Sequence, residues 1–323
     1  MAKGKLYSLM FHGVVDNMPD YSIFEESRNC FVTTKDFENI IKYCSNKFRI
    51  LKQSEIDSFM NGNPESDAIF ITFDDGLESV FTKALPILEK YKAPATVFVT
   101  TGWIDSKISP SIFNIEKIIF ENLPISLVIK NYNFSKTYLF SKKTDINKNF
   151  KLIWQDLFKN NISPLSLDAS NFEFDKINLK TSSKTTNNLW KPATWDQIKS
   201  AVNSNLIDLG IHGVTHKPWS WLDNIDLETE LITSLNTIQK NTGYNCKTAS
   251  FPHGMYNQKN LNILNINLSH YFANNMNLIS HDNKLLGRLL VPYDSPNSIK
   301  ALIDFKYLTL MIHLIKNKIK SIL

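Results

Sequence analysis

Short apolar runs alternate with amphipathic stretches along most of the chain. The runs Leu6–His12, Asp67–Phe73 and Ala95–Thr100 predict buried strands. Between the first two, FVTTKDFENIIKYCSNKF begins with a threonine cap and carries apolar residues at helical spacing. Leu77–Tyr91 predicts a second amphipathic helix, which Pro86 is expected to kink. This alternation of strand and helix favours a parallel sheet or barrel.

The middle of the chain has a different composition. Residues 105–190 are rich in Asn, Lys and Ser, with helical patterns around Ile112–Asn122 and Asn149–Asn160. We interpret this region as an insertion over the barrel mouth rather than as an independent domain. The alternation then resumes with the helix TWDQIKSAVNSN, the strand LIDLGIH, the helix DLETELITSLNTIQKNTG closed by Gly243, the strand and turn KTASFPHG, the helix NLNILNINLS and the late strand GRLLV.

The last residues, 305–323, predict a basic amphipathic helix. Such a helix either docks on the barrel, which its weakly charged polar face favours, or lies on an anionic membrane surface. We therefore predict one domain over residues 1–304 and this helix over residues 305–323.

Composition narrows the function classes. The chain has 323 residues, 43% of them hydrophobic, and a net charge of +5 with the lysines spread along it, so a nucleic-acid partner is not expected. Three cysteines, distant and odd in number, predict reduced thiols. The first apolar run is shorter than a signal peptide requires, and no run approaches the roughly 18 residues of a membrane span. We expect a cytoplasmic location, peripheral to the inner membrane face if the C-terminal helix binds lipid.

The first chemical signal is the pair Asp74 and Asp75 in ITFDDGLES, at the end of a buried strand. Burying two ionised carboxylates without a cation is costly, so the pair suggests a metal ligand beside a general base. The alternative is an ordinary Asp-Gly turn.

The second signal is LIDLGIHGVTH, in which His212 and His216 follow another apolar strand. Two histidines with one carboxylate make a usual catalytic metal set that leaves coordination positions open. An incidental pair is the alternative, but the positions at two strand ends favour the metal.

The third signal is ASFPHGMYN, where Pro252 and Gly254 predict a rigid turn. The turn is either a plain connection or a wall of a substrate groove whose backbone N–H groups stabilise a polarised oxygen. Trp219 and Trp221, just beyond the histidines, are groove candidates, although core packing is the commoner role of tryptophan.

Together, TFDDG (72–76), HGVTH (212–216) and FPHG (251–254) resemble the ordered motifs of the polysaccharide deacetylase family, or carbohydrate esterase family 4. LMFHGV near the start resembles the branch that handles bacterial surface polysaccharides. The resemblance implies the NodB homology fold, a distorted (β/α) barrel of about seven strands whose loops build the site.

The resemblance also implies residue roles. Asp75, His212 and His216 would hold a divalent metal, expected to be zinc, with cobalt and nickel as alternatives. Asp74 would be the general base. The backbone N–H of Tyr256, or of a neighbour, would stabilise the oxyanion. The substrate would lie against Pro252, His253, Gly254, Tyr256 and Trp219.

The sequence departs from the family pattern at two positions, which leaves open the residue that orients Asp74 and the general acid. Ser250 stands where the family has an arginine, and the usual final Leu-x-His is not evident. Arg288 is the candidate for the missing guanidinium, with a surface salt bridge as the alternative. His12 is the candidate for the general acid, preferred to His253, with a core histidine as the alternative.

The expected function is metal-dependent removal of an acetyl group from an N-acetylated sugar of a surface polysaccharide or its lipid-linked precursor. Hydrolysis of another amide, such as a formamido sugar, is a close alternative. A carbohydrate-binding barrel without catalysis and a metal-free structural barrel are the alternatives from other classes.

Overall fold

A computed structural model describes residues 4–107, 109–176, 179–180, 189–274 and 284–291. In these ranges the strands are β1 (Leu6–Phe11), β2 (Gly13–Val15), β3 (Phe31–Thr33), β4 (Arg49–Ile50), β5 (Ala68–Phe73), β6 (Ala95–Val99), β7 (Ile125–Asn131), β8 (Phe134–Phe140), β9 (Phe172–Phe174), β10 (Ile207–Ile211), β11 (Thr248–Ser250), β12 (His270–Ala273) and β13 (Leu285–Leu290). The α-helices are α1 (Glu25–Arg28), α2 (Thr34–Lys47), α3 (Ile56–Asn61), α4 (Leu85–Tyr91), α5 (Thr101–Ser106), α6 (Ser111–Asn122), α7 (Thr144–Lys159), α8 (Trp195–Asn203), α9 (Asn224–Thr242) and α10 (Gln258–Asn267).

Seven parallel strands close into a barrel in the order β1-β13-β12-β11-β10-β6-β5, and β5 pairs back onto β1. The closing register joins Leu6 to Ala68 and Phe11 to Phe73. The short strand β4 adds to β5 alone, outside the ring. The predicted α/β barrel of about seven strands is confirmed.

The barrel interior changes from apolar to polar along the strands. Ala68, Phe70 and Thr72 alternate along β5 toward one face, and Asp74 continues that series just past the strand. Earlier along β5 than Thr72 and Asp74, Phe70 stacks on Phe272 of β12 with 5.3 Å between ring centroids. Because parallel strands all end at the same edge, the polar positions meet at the carboxyl mouth of the barrel.

Side-chain caps and a C-terminal glycine set the predicted ends of three helices. The Thr33 hydroxyl accepts a hydrogen bond from the Asp36 N–H at the start of α2. Thr194 and Gln197 form a reciprocal capping box at the start of α8. Gly243 ends α9 with φ +77°, a conformation that favours glycine. All three boundaries confirm the sequence prediction.

The helix predicted over Leu77–Tyr91 is divided rather than simply kinked. Val80–Ala84 is π-helical, and α4 follows with Pro86 at its second position. Proline has no N–H to donate and its ring crowds the preceding turn, so the wider π turn before it accommodates the ring.

The region 105–190 contains a sheet that the sequence analysis does not predict. The helices α6 and α7 confirm the two helical patterns, but β7, β8 and β9 also pair as an antiparallel sheet in the order β8-β7-β9. The signal was present, because Ile125, Leu127 and Ile129 alternate with more exposed residues. The division into one domain with an insertion stays a prediction.

Within the described part of the chain, no helix combines the length and apolar character that a membrane crossing requires. The predicted C-terminal helix, 305–323, lies outside the described residues.

A buried carboxylate ties the inserted region to the loop before α1. Glu116 of α6 is 3% exposed, and its Oε1 atom accepts hydrogen bonds from the N–H groups of Ile23 (2.5 Å) and Phe24 (2.6 Å). Burial raises the pKa of Glu116 to about 7, even though these two hydrogen bonds favour the ionised form. The contact is therefore sensitive to pH.

We expect Glu116→Gln to remove a pH dependence of the free energy of unfolding. The pKa of Glu116 in the folded protein lies above its ordinary value of 4.5, so its contribution is present below about pH 4.5 and is lost as pH rises through about 7. Over that window the wild type should lose up to about 3 kcal/mol relative to the variant. Urea unfolding between about pH 5 and about pH 8 measures this difference. The exposed control Glu65→Gln should leave the slope unchanged, and equal slopes in all three proteins would contradict the assignment.

Candidate active site

Three buried side chains meet at the barrel mouth. Asp75 follows β5, and His212 and His216 follow β10, with their ligand atoms within 4.8 Å of one another. Asp75 Oδ1 lies 3.3 Å from His216 Nε2 and 3.6 Å from His212 Nε2. Ligand atoms bonded at about 2.0–2.2 Å to a tetrahedral ion are about 3.3–3.6 Å apart. The two separations from Asp75 therefore fit a divalent metal ion.

The protonation states fit a cation as well. Asp75 Oδ1 is buried, and no donor in the described part of the chain gives it a hydrogen bond. Burial raises the pKa of Asp75, but the neighbouring imidazoles, that of His216 foremost, hold it below its usual range. Burial lowers the pKa of His212 to about 4, so this imidazole is neutral at physiological pH, as a metal ligand must be.

The loop between the two histidines explains why both face Asp75. Gly213 (φ +82°) and His216 (φ +57°) both take left-handed conformations, so the chain turns tightly between the ligands. The Gly102 N–H donates to Val214 O, and a Cβ atom on Gly102 would lie only 2.4 Å from that oxygen. The Trp103 ring stacks on the His216 imidazole at 5.1 Å. Backbone contacts and one aromatic ring thus fix the second histidine.

A buried glutamate holds the same loop from outside. Glu230 of α9 is 8% exposed, and its carboxylate accepts hydrogen bonds from the N–H groups of Val214 (2.5 Å) and Thr215 (3.2 Å) and from the Thr215 hydroxyl (2.5 Å). Sequence reasoning missed this residue. Its signal is a charge on the buried face of α9, between Leu227 and Leu231.

The other carboxylate, Asp74, is held by arginine. Arg288 of β13 is 1% exposed and donates from Nη1 to Asp74 Oδ1 (2.6 Å) and from Nη2 to Asp74 Oδ2 (2.7 Å). Burial raises the pKa of Asp74, but the charge of Arg288 outweighs it and holds the pKa well below its usual range. The guanidinium predicted for Arg288 therefore reaches Asp74, and the alternative of a surface salt bridge is wrong.

Three further polar groups surround the arginine, one of them the Thr72 hydroxyl, which accepts a hydrogen bond from Arg288 Nη1 at 3.4 Å. Arg288 Nη2 also donates to Ser250 Oγ (2.6 Å) and to Asn274 Oδ1 (2.9 Å). Ser250 Oγ in turn donates to Asp74 Oδ2 at 3.3 Å. Ser250, the departure from the family pattern, thus leaves room for the Arg288 guanidinium from β13, which is separated from β11 only by β12. Sequence reasoning missed Asn274, whose signal is a polar residue directly after β12.

His12 lies between β1 and β2, half-buried. Its Nδ1 atom is buried and has no hydrogen-bond partner in the described ranges, so the alternative of a histidine satisfied through that nitrogen is not supported. Asp74 N–H donates to Phe11 O, which brings the end of β5 beside this residue. The role of general acid stays a prediction.

The third motif forms a turn against the metal group. Pro252 is buried, while His253 (φ +56°) and Gly254 (φ +67°) take left-handed conformations. The His253 ring lies 4.7 Å from the His216 ring. The N–H groups of Gly254 and Met255 donate within the turn, which excludes these two as oxyanion donors. For Tyr256, whose ring stacks on Phe251 at 4.6 Å, the oxyanion role stays a prediction.

The groove role predicted for Trp219 is wrong. Its side chain is fully buried, at 0% exposure, and packs edge-on against Phe251 at 5.5 Å. The short 3-10 turn Trp219–Trp221 directs the first ring into the core and leaves Trp221 half-buried. Trp219 therefore supports the third motif from beneath rather than contacting substrate.

The family model for polysaccharide deacetylases matches residues 61–267. The chain belongs to the polysaccharide deacetylase family. A poly-β-1,6-N-acetyl-D-glucosamine N-deacetylase of Staphylococcus aureus is 36% identical over 87 residues, which cover 26% of this chain and only 30% of that protein.

Solved structures of deacetylases share the fold of this family member. The Streptococcus pyogenes deacetylase PplD, in complex with acetate, is 17% identical and has a TM-score of 0.61, over 94% of this chain and 98% of that one. IcaB from Ammonifex degensii is 17% identical with a TM-score of 0.55, over 90% and 92% of the two chains. At these identities the likeness extends to the fold alone.

We expect Glu230→Gln to weaken metal binding more than it weakens the fold. The amide keeps the size of the side chain but replaces an accepting oxygen with a donor that opposes the N–H groups of Val214 and Thr215. Loss of a hydrogen bond that orients metal ligands typically lowers metal affinity about 10- to 100-fold, and Glu230 holds the loop that carries both histidines. Titration of the metal-stripped protein with Zn²⁺ or Co²⁺ measures it, with the exposed Glu228→Gln on the same helix as control. Unchanged metal affinity in Glu230→Gln would show that Glu230 serves stability alone.

We expect Arg288→Met to destabilise the fold by about 3–5 kcal/mol, because it leaves Asp74 buried and unpaired. Adding Asp74→Asn should recover part of that loss, since the second change removes the uncompensated charge. Denaturant unfolding of the single and double variants measures both effects, with Arg288→Lys as substitute if the methionine variant does not fold. The exposed pair Arg49–Glu55 offers a control, in which Arg49→Met should cost no more than about 1 kcal/mol. Equal losses in the single and double variants would argue against the ion pair.

Proposed function

We propose that this protein is a metal-dependent carbohydrate N-deacetylase. The proposal rests on two adjacent carboxylates at the mouth of the barrel that have different partners. Asp75 faces two histidines, while Asp74 is ionised, fixed by Arg288, and places Oδ2 only 4.0 Å from His212 Nε2. A base held this close to a metal group is what hydrolysis of an amide by water requires.

Asp75, His212 and His216 would hold the ion. When bound, a divalent metal supplies a Lewis acid for the amide carbonyl and lowers the pKa of water, toward about 7 for zinc. Zinc is our choice because one carboxylate and two imidazoles suit it, with cobalt or nickel as alternatives.

The side chains of this protein supply the proton transfers. Asp74 Oδ2 accepts the proton of the attacking water, while Arg288 keeps the carboxylate in place. His12 donates a proton to the nitrogen that leaves as the C–N bond breaks. The products are acetate and the free amine of the sugar.

We propose an N-acetylated hexosamine of a surface polysaccharide as the substrate. The S. aureus match supports this choice, since its printed activity is N-deacetylation of poly-β-1,6-N-acetyl-D-glucosamine. A binding-only barrel is not favoured, because recognition alone gives no reason to retain an ionised, arginine-held Asp74 beside the metal group. No feature of the site favours a formyl over an acetyl group.

We propose that the substrate is a lipid-linked precursor at the inner membrane face. The basic amphipathic pattern of residues 305–323, which is typical of a helix that binds anionic lipid, supports this choice. Flotation of the 323-residue protein with anionic vesicles, but not with neutral vesicles, is the result expected from such a membrane contact.

We expect acetate release from β-1,6-linked N-acetylglucosamine oligosaccharides in the presence of Zn²⁺ or Co²⁺. Asp74→Asn should lower kcat about 10²- to 10⁴-fold, because a general base contributes that much, and should retain the metal. Asp75→Ala should lose the metal and the activity together. The exposed control Asp20→Asn should leave both unchanged. A wild-type protein that binds no metal and releases no acetate would refute the proposal.

A further inference from the structure

A row of rings leads outward from the metal group. The His253 ring lies 4.7 Å from the His216 ring and 5.2 Å from the Phe158 ring. Phe158 in turn lies 5.2 Å from Trp221. All three contacts are edge-to-face, with interplanar angles of 86°, 88° and 66°. The row therefore connects His216, one of the three side chains that could hold a metal, to the half-buried Trp221.

The three outer rings come from separate segments. Phe158 lies at the end of α7 in the inserted region, His253 lies in the turn after β11, and Trp221 lies in the turn beyond the histidine loop. The buried face of α7 includes Ile153 and Leu157, whereas Phe158 and Trp221 are only half-buried. Phe158 and Trp221 are thus residues that remain partly exposed to solvent.

A polar contact fixes the joint between these segments. Ser163 Oγ lies 3.3 Å from His253 Nε2, and Ser163 is 3% exposed. His253 reaches this position in a left-handed conformation, which a non-glycine residue keeps only when its surroundings impose it. The inserted region is therefore in direct contact with the turn that borders the metal group.

The chemistry of the surface suits a neutral sugar. Half-exposed aromatic rings offer apolar area at small conformational cost, and Phe158 and Trp221, the two outermost rings, carry no charge.

We propose that Phe158 and Trp221 form a sugar-binding subsite for the unit next to the one that is deacetylated. The occupant is a second, neutral N-acetylhexosamine unit of the same polysaccharide chain. This inference rests on the proposed function and deepens it, because it assigns part of substrate recognition to the inserted region.

Kinetics with long and short substrates test the subsite. For a β-1,6-linked N-acetylglucosamine hexamer, Phe158→Ala and Trp221→Ala should each raise KM about 2- to 10-fold with kcat nearly unchanged, since they remove binding that ground and transition states share. For the methyl glycoside of N-acetylglucosamine, neither variant should change kcat/KM. Leu152→Ala, an exposed apolar residue on the same helix, is the control and should match the wild type. Equal hexamer KM values in all variants would overturn the subsite and leave the proposed function intact.

A binding measurement separates the two proposals. Calorimetric titration of the hexamer into Asp74→Asn, with and without the two ring substitutions, requires no turnover. Weaker binding in the triple variant supports the subsite even if the wild type releases no acetate, a result that would count against the proposed function alone. Equal binding, or no binding to Asp74→Asn, would overturn the subsite.

Discussion

Two adjacent carboxylates buried at the mouth of an apolar barrel need positive charge, and the rest of the site follows from how each receives it. Asp74 and Asp75 are 1% and 2% exposed, so water cannot compensate them. Arg288 supplies a full charge and two parallel hydrogen bonds to Asp74. Asp75 Oδ1 instead lies beside the imidazole nitrogens of His212 and His216. The fold thus supplies a counter-charge to one carboxylate and places the other in the group of side chains that could hold a metal ion.

Because their partners differ, two adjacent and chemically identical residues can take different roles in the proposed reaction, Asp74 as the base and Asp75 as a metal ligand. The left-handed conformation of Asp75, φ +73°, turns the chain so that the two side chains do not point to opposite faces as they would along a strand. Both carboxylates then lie within 4.0 Å of the same His212 nitrogen. Three contacts fix this arrangement. They are the ion pair with Arg288 of β13, the hydrogen bonds from the loop between the histidines to Glu230, and the stacking of the Trp103 ring on His216.

Much of the fold and site could be predicted because the signals are local. Runs such as the one before Asp74 are apolar on both faces, as parallel barrel strands must be, and motifs at strand ends converge by topology. The failures are non-local. The spacing of residues along the chain does not reveal that Trp219 turns into the core while Trp221 does not. Nor does it reveal that Glu230 hydrogen-bonds to the loop between His212 and His216. In the inserted region, abundant polar residues obscured the two-residue alternation of β7.

The closure of the barrel has a consequence for the order of folding. β1 lies between β5 and β13, and Arg288 meets Asp74 across 214 residues of sequence. Contacts so distant carry a large loop-closure entropy and form slowly. Until β13 joins, Asp74 has no counter-charge, and a dry mouth around it would be unfavourable. The site therefore assembles as the barrel completes, so the Asp74–Arg288 ion pair reports that the ring of strands has closed.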